Sequence, residues 1–491
     1  MRARLRTASP AIGALGALIL VTAGSLNASA ALGMTPLVQI PPALQTFYDQ
    51  PVNWASCGSD SCAEIRVPLD YLEPEGDVIT LSIRRVGSSD LPALFVNPGG
   101  PGSGGTGLAQ YVHGAISSDL RKSFSIVGFD PRGTGESAPI TCLTGKQANT
   151  WLRTDATPDT AQEVRTLMRR AAQISQGCLN FSSTLASHIG TDETVKDMDI
   201  MRGALKQEKL NWLGFSYGTS LGSRYSELFP ESVGRMVLDG AVDPALDAMQ
   251  LSQGQSTGFQ LAIKRFNKKY PGTASYINKL FGQLDHTPMR TEGPQKLVQS
   301  EAQTAVFYSM YSPYLWSDLN QALNKAKRGD GTALQKISYE ANDQTAPAKF
   351  ATNSLSAFYA INCWDLPSTP KSPQLARAAK KWSTKVLVPE LAESMSWGNA
   401  PCSQWFGHSG TVPAPVQTTT SAPILIIGTT FDPATPLAWA KSLHNQMPTS
   451  SLVTFVGDGH TAYLNGNSCV DSRVDNYLLT GVASTDITCR S

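Results

Sequence analysis

The chain has 491 residues, and its 40 Lys plus Arg against 39 Asp plus Glu leave a formal charge of +1, so no uniform field draws it to nucleic acid or to an anionic membrane. Charged residues make up 16% and apolar residues 41%, which excludes a disordered chain and supports a large packed core. At about 100 to 150 residues per domain, the length implies two to four structural units or one large fold carrying an insertion.

Arg2, Arg4 and Arg6 precede an uncharged apolar run over 11–24, and Ala28-Ser29-Ala30 offers the small residues that a signal peptidase reads. The run is shorter than the roughly 20 residues needed to cross a bilayer. Residues 1–30 therefore read as a secretion signal cleaved near Ala30, and no later segment reaches spanning length, so the expected product is extracellular with no stable membrane insertion. Export makes the eight cysteines disulfide candidates. Proximity in sequence pairs Cys57 with Cys62 and Cys469 with Cys489; Cys142 with Cys178 and Cys363 with Cys402 are the simplest of the remaining connectivities. No C-x-x-C pair or H-E-x-x-H run marks a zinc site.

Past the leader, 78–86, 93–97 and 124–129 read as strands from their β-branched and aromatic content. Helical periodicity follows over 160–176 and 191–205, then a short apolar run at 211–213 and a helix-compatible run over 219–229. The runs 235–238, 424–427 and 452–456 have the uninterrupted apolar character of strands buried on both faces of a parallel sheet. Between about 243 and 415 the pattern changes: 256–269, 317–327 and 375–385 read as helices, convincing strands are absent, and 413–421 has the composition of a return linker. These signals predict an α/β fold, a mostly parallel sheet with helices on both faces, whose core runs over 31–242 and 416–491 and carries a helical cap over 243–415.

Three separated segments carry a catalytic pattern. Gly214-Phe215-Ser216-Tyr217-Gly218 is a G-x-S-x-G between a strand and a helix, the setting in which glycines allow a tight turn and Ser216 projects its hydroxyl above the sheet. The glycine-rich loop from Asn97 to Gly105 follows a strand and brings N–H groups close to a substrate oxygen. Gly100 and Tyr217 are the expected oxyanion donors, and the absence of a G-K-[ST] ending disfavours a phosphate loop. His460, in Gly457-Asp458-Gly459-His460, is the expected base. Asp432, just past a predicted strand, is the expected orienting carboxylate in preference to Asp458, which reads as a turn former. The order Ser216, Asp432, His460 is that of α/β-hydrolases. Thr435 either caps the helix after Asp432 or reaches the active site, the cap being the preferred reading, and His113, His188, His286, His408 and His444 read as surface or core residues.

Taken together, NPGGPGSGG, GFDPRGTGES, GFSYG, GTTFDPATP and GDGH resemble the secreted tripeptidyl aminopeptidases of actinobacteria, in the prolyl-aminopeptidase-like branch of the α/β-hydrolases, over most of the chain from Trp54 to Cys489. The resemblance implies an α/β-hydrolase fold and a serine exopeptidase that releases short peptides, often tripeptides, from peptide substrates with free N-termini. It implies no cofactor and no metal. Pro98 stands where prolyl aminopeptidases usually carry histidine, which weighs against strict proline release. Asp130 and Arg132 of GFDPRGTGES are expected to pair. Recognition of a terminal ammonium requires a carboxylate in a partly desolvated pocket. Of Glu301, Asp318, Glu340, Asp343, Asp365, Glu390 and Glu393 in the cap, Asp365 is the choice, because AINCWD resembles a recurrent family segment and a bridge at Cys363 would pin it. A carboxylesterase or lipase with the same triad, and a non-catalytic binding protein of the same fold, are the alternatives.

Overall fold

The computed structural model describes residues 40–366 and 370–490; the leader and its cleavage site lie outside the described residues. The strands are β1 (Ala55–Cys57), β2 (Asp60–Pro68), β3 (Val78–Val86), β4 (Ala93–Asn97), β5 (Ser125–Phe129), β6 (Leu210–Phe215), β7 (Val233–Asp239), β8 (Gln344–Ala346), β9 (Lys349–Phe350), β10 (Ile424–Phe431), β11 (Ser450–Asp458) and β12 (Ile487–Arg490). Ten of them form one sheet in the order β1-β2-β3-β5-β4-β6-β7-β10-β11-β12. The ladders from β1 through β3 to β5 are antiparallel, and every ladder from β5 to β12 is parallel.

Sequence pattern explains the change along the sheet. In β2, Ala63, Ile65 and Val67 are buried while Glu64 and Arg66 are exposed, the alternation of a strand with one wet face. In β4 and β5 every residue is buried, as helices on both faces require. One face packs Phe95, Phe129, Trp212 and Leu238 against helix Thr191–Ala204; the other packs Leu94, Ile126, Leu213 and Val237 against helix Thr106–Ala115 and helix Ser468–Thr480. This is the α/β-hydrolase architecture.

Between β7 and β10 the chain builds the cap. Helix Ala248–Lys269 starts at Asp247, whose carboxylate accepts the Gln250 N–H in a capping box. This helix and those at Thr273–His286, Gln299–Met310, Trp316–Ala326 and Pro389–Trp397 bury Phe259, Phe266, Ile277, Phe281, Leu319 and Leu391 in a core of their own. The expectation of no strand in this region is corrected by the short hairpin β8–β9, closed around Ala348 with φ 61°.

All four expected bridges are present: Cys57–Cys62, Cys142–Cys178, Cys363–Cys402 and Cys469–Cys489. The expected Asp130–Arg132 pair is corrected. Arg132 is fully buried and makes a two-pronged bond to Asp197, at 2.8 and 2.7 Å, a match of planar groups that adjacent positions on one tight turn do not offer. Asp130 instead accepts the Thr106 N–H and the Glu136 N–H, tying the glycine-rich loop to its neighbour.

Candidate active site

The carboxyl ends of β4, β6, β7, β10 and β11, successive neighbours in the sheet, meet on one edge, and each sequence-predicted site residue of the core follows one of them. Ser216 lies between β6 and helix Tyr217–Leu228 at φ 54°, ψ −122°, a conformation that a residue with a side chain keeps only when its surroundings impose it. The Ser216 N–H donates to the Asp239 carbonyl at 2.9 Å, and the Ser216 carbonyl accepts the Thr219 N–H at 2.8 Å. A Cβ at Gly214 would stand 2.3 Å from the Gly218 carbonyl oxygen, and one at Gly99 2.5 Å from the Phe215 carbonyl oxygen. Only glycine lets strand, turn and loop approach this closely.

Gly100, at φ 106°, follows that contact, and with Ser216 and Tyr217 it lines a cavity of about 470 Å³. Tyr217 opens its helix, so its N–H is one of the four without an intrahelical partner and sits at the positive end of the helix dipole. The two expected oxyanion donors thus line the same cavity as Ser216.

Asp432 directly follows β10 and is buried, 2% exposed. Its two oxygens lie 2.9 Å from His460 Nδ1 and also accept the N–H groups of Ala434, Thr435 and Thr461. Burial pushes the His460 imidazole down, but the Asp432 carboxylate and, further off, Asp239 hold it above its ordinary value. The His460 N–H donates to the Tyr311 carbonyl at 2.8 Å, and the Tyr311 ring packs edge-on at 5.3 Å. A Cβ at Gly240 would lie 3.2 Å from His460 Cε1. The Asp239-Gly240 turn therefore borders the imidazole while its first carbonyl holds Ser216.

Thr435 corrects its expected role. Its hydroxyl donates to Asp432 at 3.0 Å and stands 3.3 Å from His460 Nδ1, while Pro436 occupies the cap of the following helix. Asp458 pairs with Arg265 of the cap, and Arg265 lies 3.9 Å over the Phe431 ring. Among the residues that line the cavity there is no histidine; His460 reaches its edge through Thr435, which does line it.

Of the seven cap carboxylates, Asp365 alone lines the cavity with Ser216. Its carboxylate accepts the Thr191 N–H at 3.0 Å and the Thr191 hydroxyl at 2.7 Å; that hydroxyl also lies 2.6 Å from the Tyr217 phenol. Burial, with Glu193 and Asp192 nearby, pushes Asp365 up to about 7. Glu301 pairs with Arg153, and Glu340 accepts the Tyr308 hydroxyl. Asp192 and Glu227 also line the cavity, both paired with Arg224. Thr191 and Tyr311 carry no signal as site residues in the sequence because only the folded chain brings them beside the expected ones. A larger cavity of about 570 Å³ in the cap, lined by Lys264, Lys381 and Lys385, shares no residue with this one. Among the described residues, no group of three or more His, Cys, Asp or Glu could hold a metal ion, and no helix is long and apolar enough to cross a membrane.

Residues 388–489, which include both Asp432 and His460, match the family described as TAP-like protein. Over nearly the whole chain, three relatives are similar. Serine protease Hip1 of Mycobacterium tuberculosis is 31% identical, across 88% of this chain and 89% of that protein. The tripeptidyl aminopeptidase of Streptomyces lividans is 31% identical, across 89% and 86%. Carboxylesterase B of Mycobacterium tuberculosis is 34% identical, across 86% and 84%.

Proposed function

The chain belongs to the tripeptidyl-aminopeptidase-like family of α/β-hydrolases and is a serine hydrolase, and from that premise we propose that it is a secreted exopeptidase releasing short peptides, tripeptides foremost, from free N-termini through an acyl-enzyme on Ser216. In this reading, Ser216 Oγ adds to the scissile carbonyl as His460 takes its proton, with Asp432 fixing the tautomer and stabilising the imidazolium. The N–H groups of Gly100 and Tyr217 receive the oxyanion. His460 then gives the proton to the leaving amine, and water enters by the same route to free Ser216.

One observation carries the exopeptidase reading: Asp365 shares a cavity with Ser216 and is the carboxylate there with no Lys or Arg paired to it among the described residues. Asp192 and Glu227 are both already paired with Arg224. A substrate ammonium entering would relieve the repulsion that Glu193 and Asp192 impose on Asp365. The cavity volume falls within the range of about 300 to 1,000 Å³ that suits ligands of a few residues. Secretion is supported by the bridging of all eight cysteines. Nucleic acid is not proposed as a partner, and the proposed substrate class is peptides.

Peptide p-nitroanilides of one to three residues, each free and N-acetylated, test this reading, together with mass spectrometry of products from a longer free peptide. The expected outcome is release of tripeptides and a loss of roughly 100-fold on acetylation, since removing one partner of a buried charge pair costs about 2 to 5 kcal/mol. Equal turnover of the acetylated series would overturn it. The carboxylesterase relative gives a second reading its specific support, and rapid ester turnover with no amide cleavage would establish that alternative.

A further inference from the structure

Asp239, at the end of β7, has no place in the chemistry described above, yet it is fully buried beside it. Its backbone carbonyl accepts the Ser216 N–H at 2.9 Å. Its carboxylate accepts the Ala462 N–H at 3.1 and 3.0 Å and the Tyr463 N–H at 2.8 Å, both just past His460. The segment it grips is strained: Thr461 has φ 65° and Leu464 φ 64°, and the two gripped residues lie between them. Left-handed residues with side chains persist only where the surroundings over-determine them, and here two N–H groups anchored on one buried carboxylate supply the restraint. Oδ2 accepts both N–H groups and Oδ1 only that of Ala462, so loss of the Oδ2 acceptor would leave a buried N–H unsatisfied and relax the strain by moving the loop that starts at His460.

We propose that Asp239 is a positioning residue for the hydrolase reaction: through its carbonyl it fixes Ser216 and through its carboxylate it fixes the His460 loop, so that one residue sets the distance between nucleophile and base. The inference rests on the Ser216–His460 reading. The titratable groups facing Asp239 are His460 and Asp432; the Tyr463 phenol pairs with Asp475 instead. Facing His460 are Asp432, Asp239, the Thr435 hydroxyl and, from the cap, the Tyr311 ring. Burial pushes Asp239 up to about 7, against the pull of the Ala462 and Tyr463 N–H groups. When ionised, it adds to the field that holds His460 above its ordinary value.

Asp239→Asn keeps the size and one acceptor but removes the second acceptor and the charge. The rate of inactivation by a fluorophosphonate reads Ser216 reactivity without reference to any peptide, so it is measured against pH for the full chain. The variant should react roughly 10 to 100-fold more slowly at its optimum, as expected for a small misplacement of reacting groups. Its acid limb should move to lower pH, because an imidazole with less negative charge around it loses its proton sooner. A purely structural residue would lower the amplitude without moving the limb. Ser216→Ala is the control: labelling that survives it would bring down the triad reading itself. If that control abolishes labelling while Asp239→Asn keeps the wild-type rate and limb, only the present inference is overturned. Should Asp239→Asn not fold, Asp239→Ser, which retains one acceptor in less volume, takes its place; failure of both to fold would make Asp239 a determinant of the fold and overturn the assignment.

Discussion

On the sheet side of the cavity, position is set by backbone. Ser216 is fixed by the β6 turn and by the Asp239 carbonyl, and Asp432 by three N–H groups that converge on its oxygens. On the cap side, position is set by side-chain packing, and Asp365 depends on the bridge at Cys363 and on a single threonine from the core, Thr191. The first kind of construction can hold reacting groups within the roughly 0.5 Å that productive geometry needs, and it tolerates little change. The second sets the size and charge of a pocket, and a change there alters what the pocket accepts without moving the reacting groups.

That contrast is tested hardest on the sheet side. Ser216→Ala should lower kcat by about 10⁶ and abolish fluorophosphonate labelling while leaving the thermal midpoint unchanged; residual activity within tenfold of wild type would place the nucleophile elsewhere. Asp432→Asn should cost about 10⁴ in kcat. It should also move the acid limb of kcat/KM to lower pH. In the native enzyme the base form of His460 appears only above its raised pKa, and without the carboxylate the effect of burial is left to pull that pKa down. An unchanged limb would show that Asp432 does not set the state of His460.

On the cap side, effects should be smaller and selective. Asp365→Asn should reduce kcat/KM roughly 30 to 100-fold for free-amine substrates, mostly through KM, and leave N-acetylated substrates unaffected. With Asp365 pushed up to about 7, the carboxylate proposed to receive the ammonium forms only as pH rises through that value. KM for free peptides should therefore fall between about pH 6 and 8, and the variant should lose this dependence. Equal losses on both substrate series would make Asp365 a structural cap of helix Thr191–Ala204 and no more.

How much of this was legible in the sequence divides along the same line. The core strands and the Ser216, Asp432 and His460 positions could be read because local rules place them: a glycine-flanked serine between strand and helix, an acid and a histidine just past apolar runs. The alternation Ala63, Ile65, Val67 is a local signal of β2 of the same kind. The partner of Arg132 is not legible in this way, because Asp197 lies 65 residues on and nothing nearby in sequence points to it. Thr191 and Tyr311 are of the same kind. Each reaches the site through tertiary packing, a helix N-terminus from the core in one case and a cap loop in the other, and no periodicity or motif carries that information.

The two sides meet at Arg265, and breaking that contact measures how far they act separately. Arg265 belongs to cap helix Ala248–Lys269, pairs with Asp458 at the end of β11 two residues before His460, and lies over Phe431 one residue before Asp432. Its side chain is 37% exposed, so water screens the pair and its worth is of the order of 0.2 to 1 kcal/mol. If the sheet side holds His460 by itself, through Asp432 and the loop beyond, Arg265→Met should change kcat/KM by only about two- to fivefold, the change lying in KM, because the methionine keeps the apolar contact with Phe431 while the tether between cap and edge is lost. Fluorophosphonate labelling, which needs no cap contact, should proceed at the wild-type rate. A fall in labelling of tenfold or more would mean that the cap takes part in placing the imidazole, and the Tyr311 carbonyl, which accepts the His460 N–H, would then be the route by which it does so.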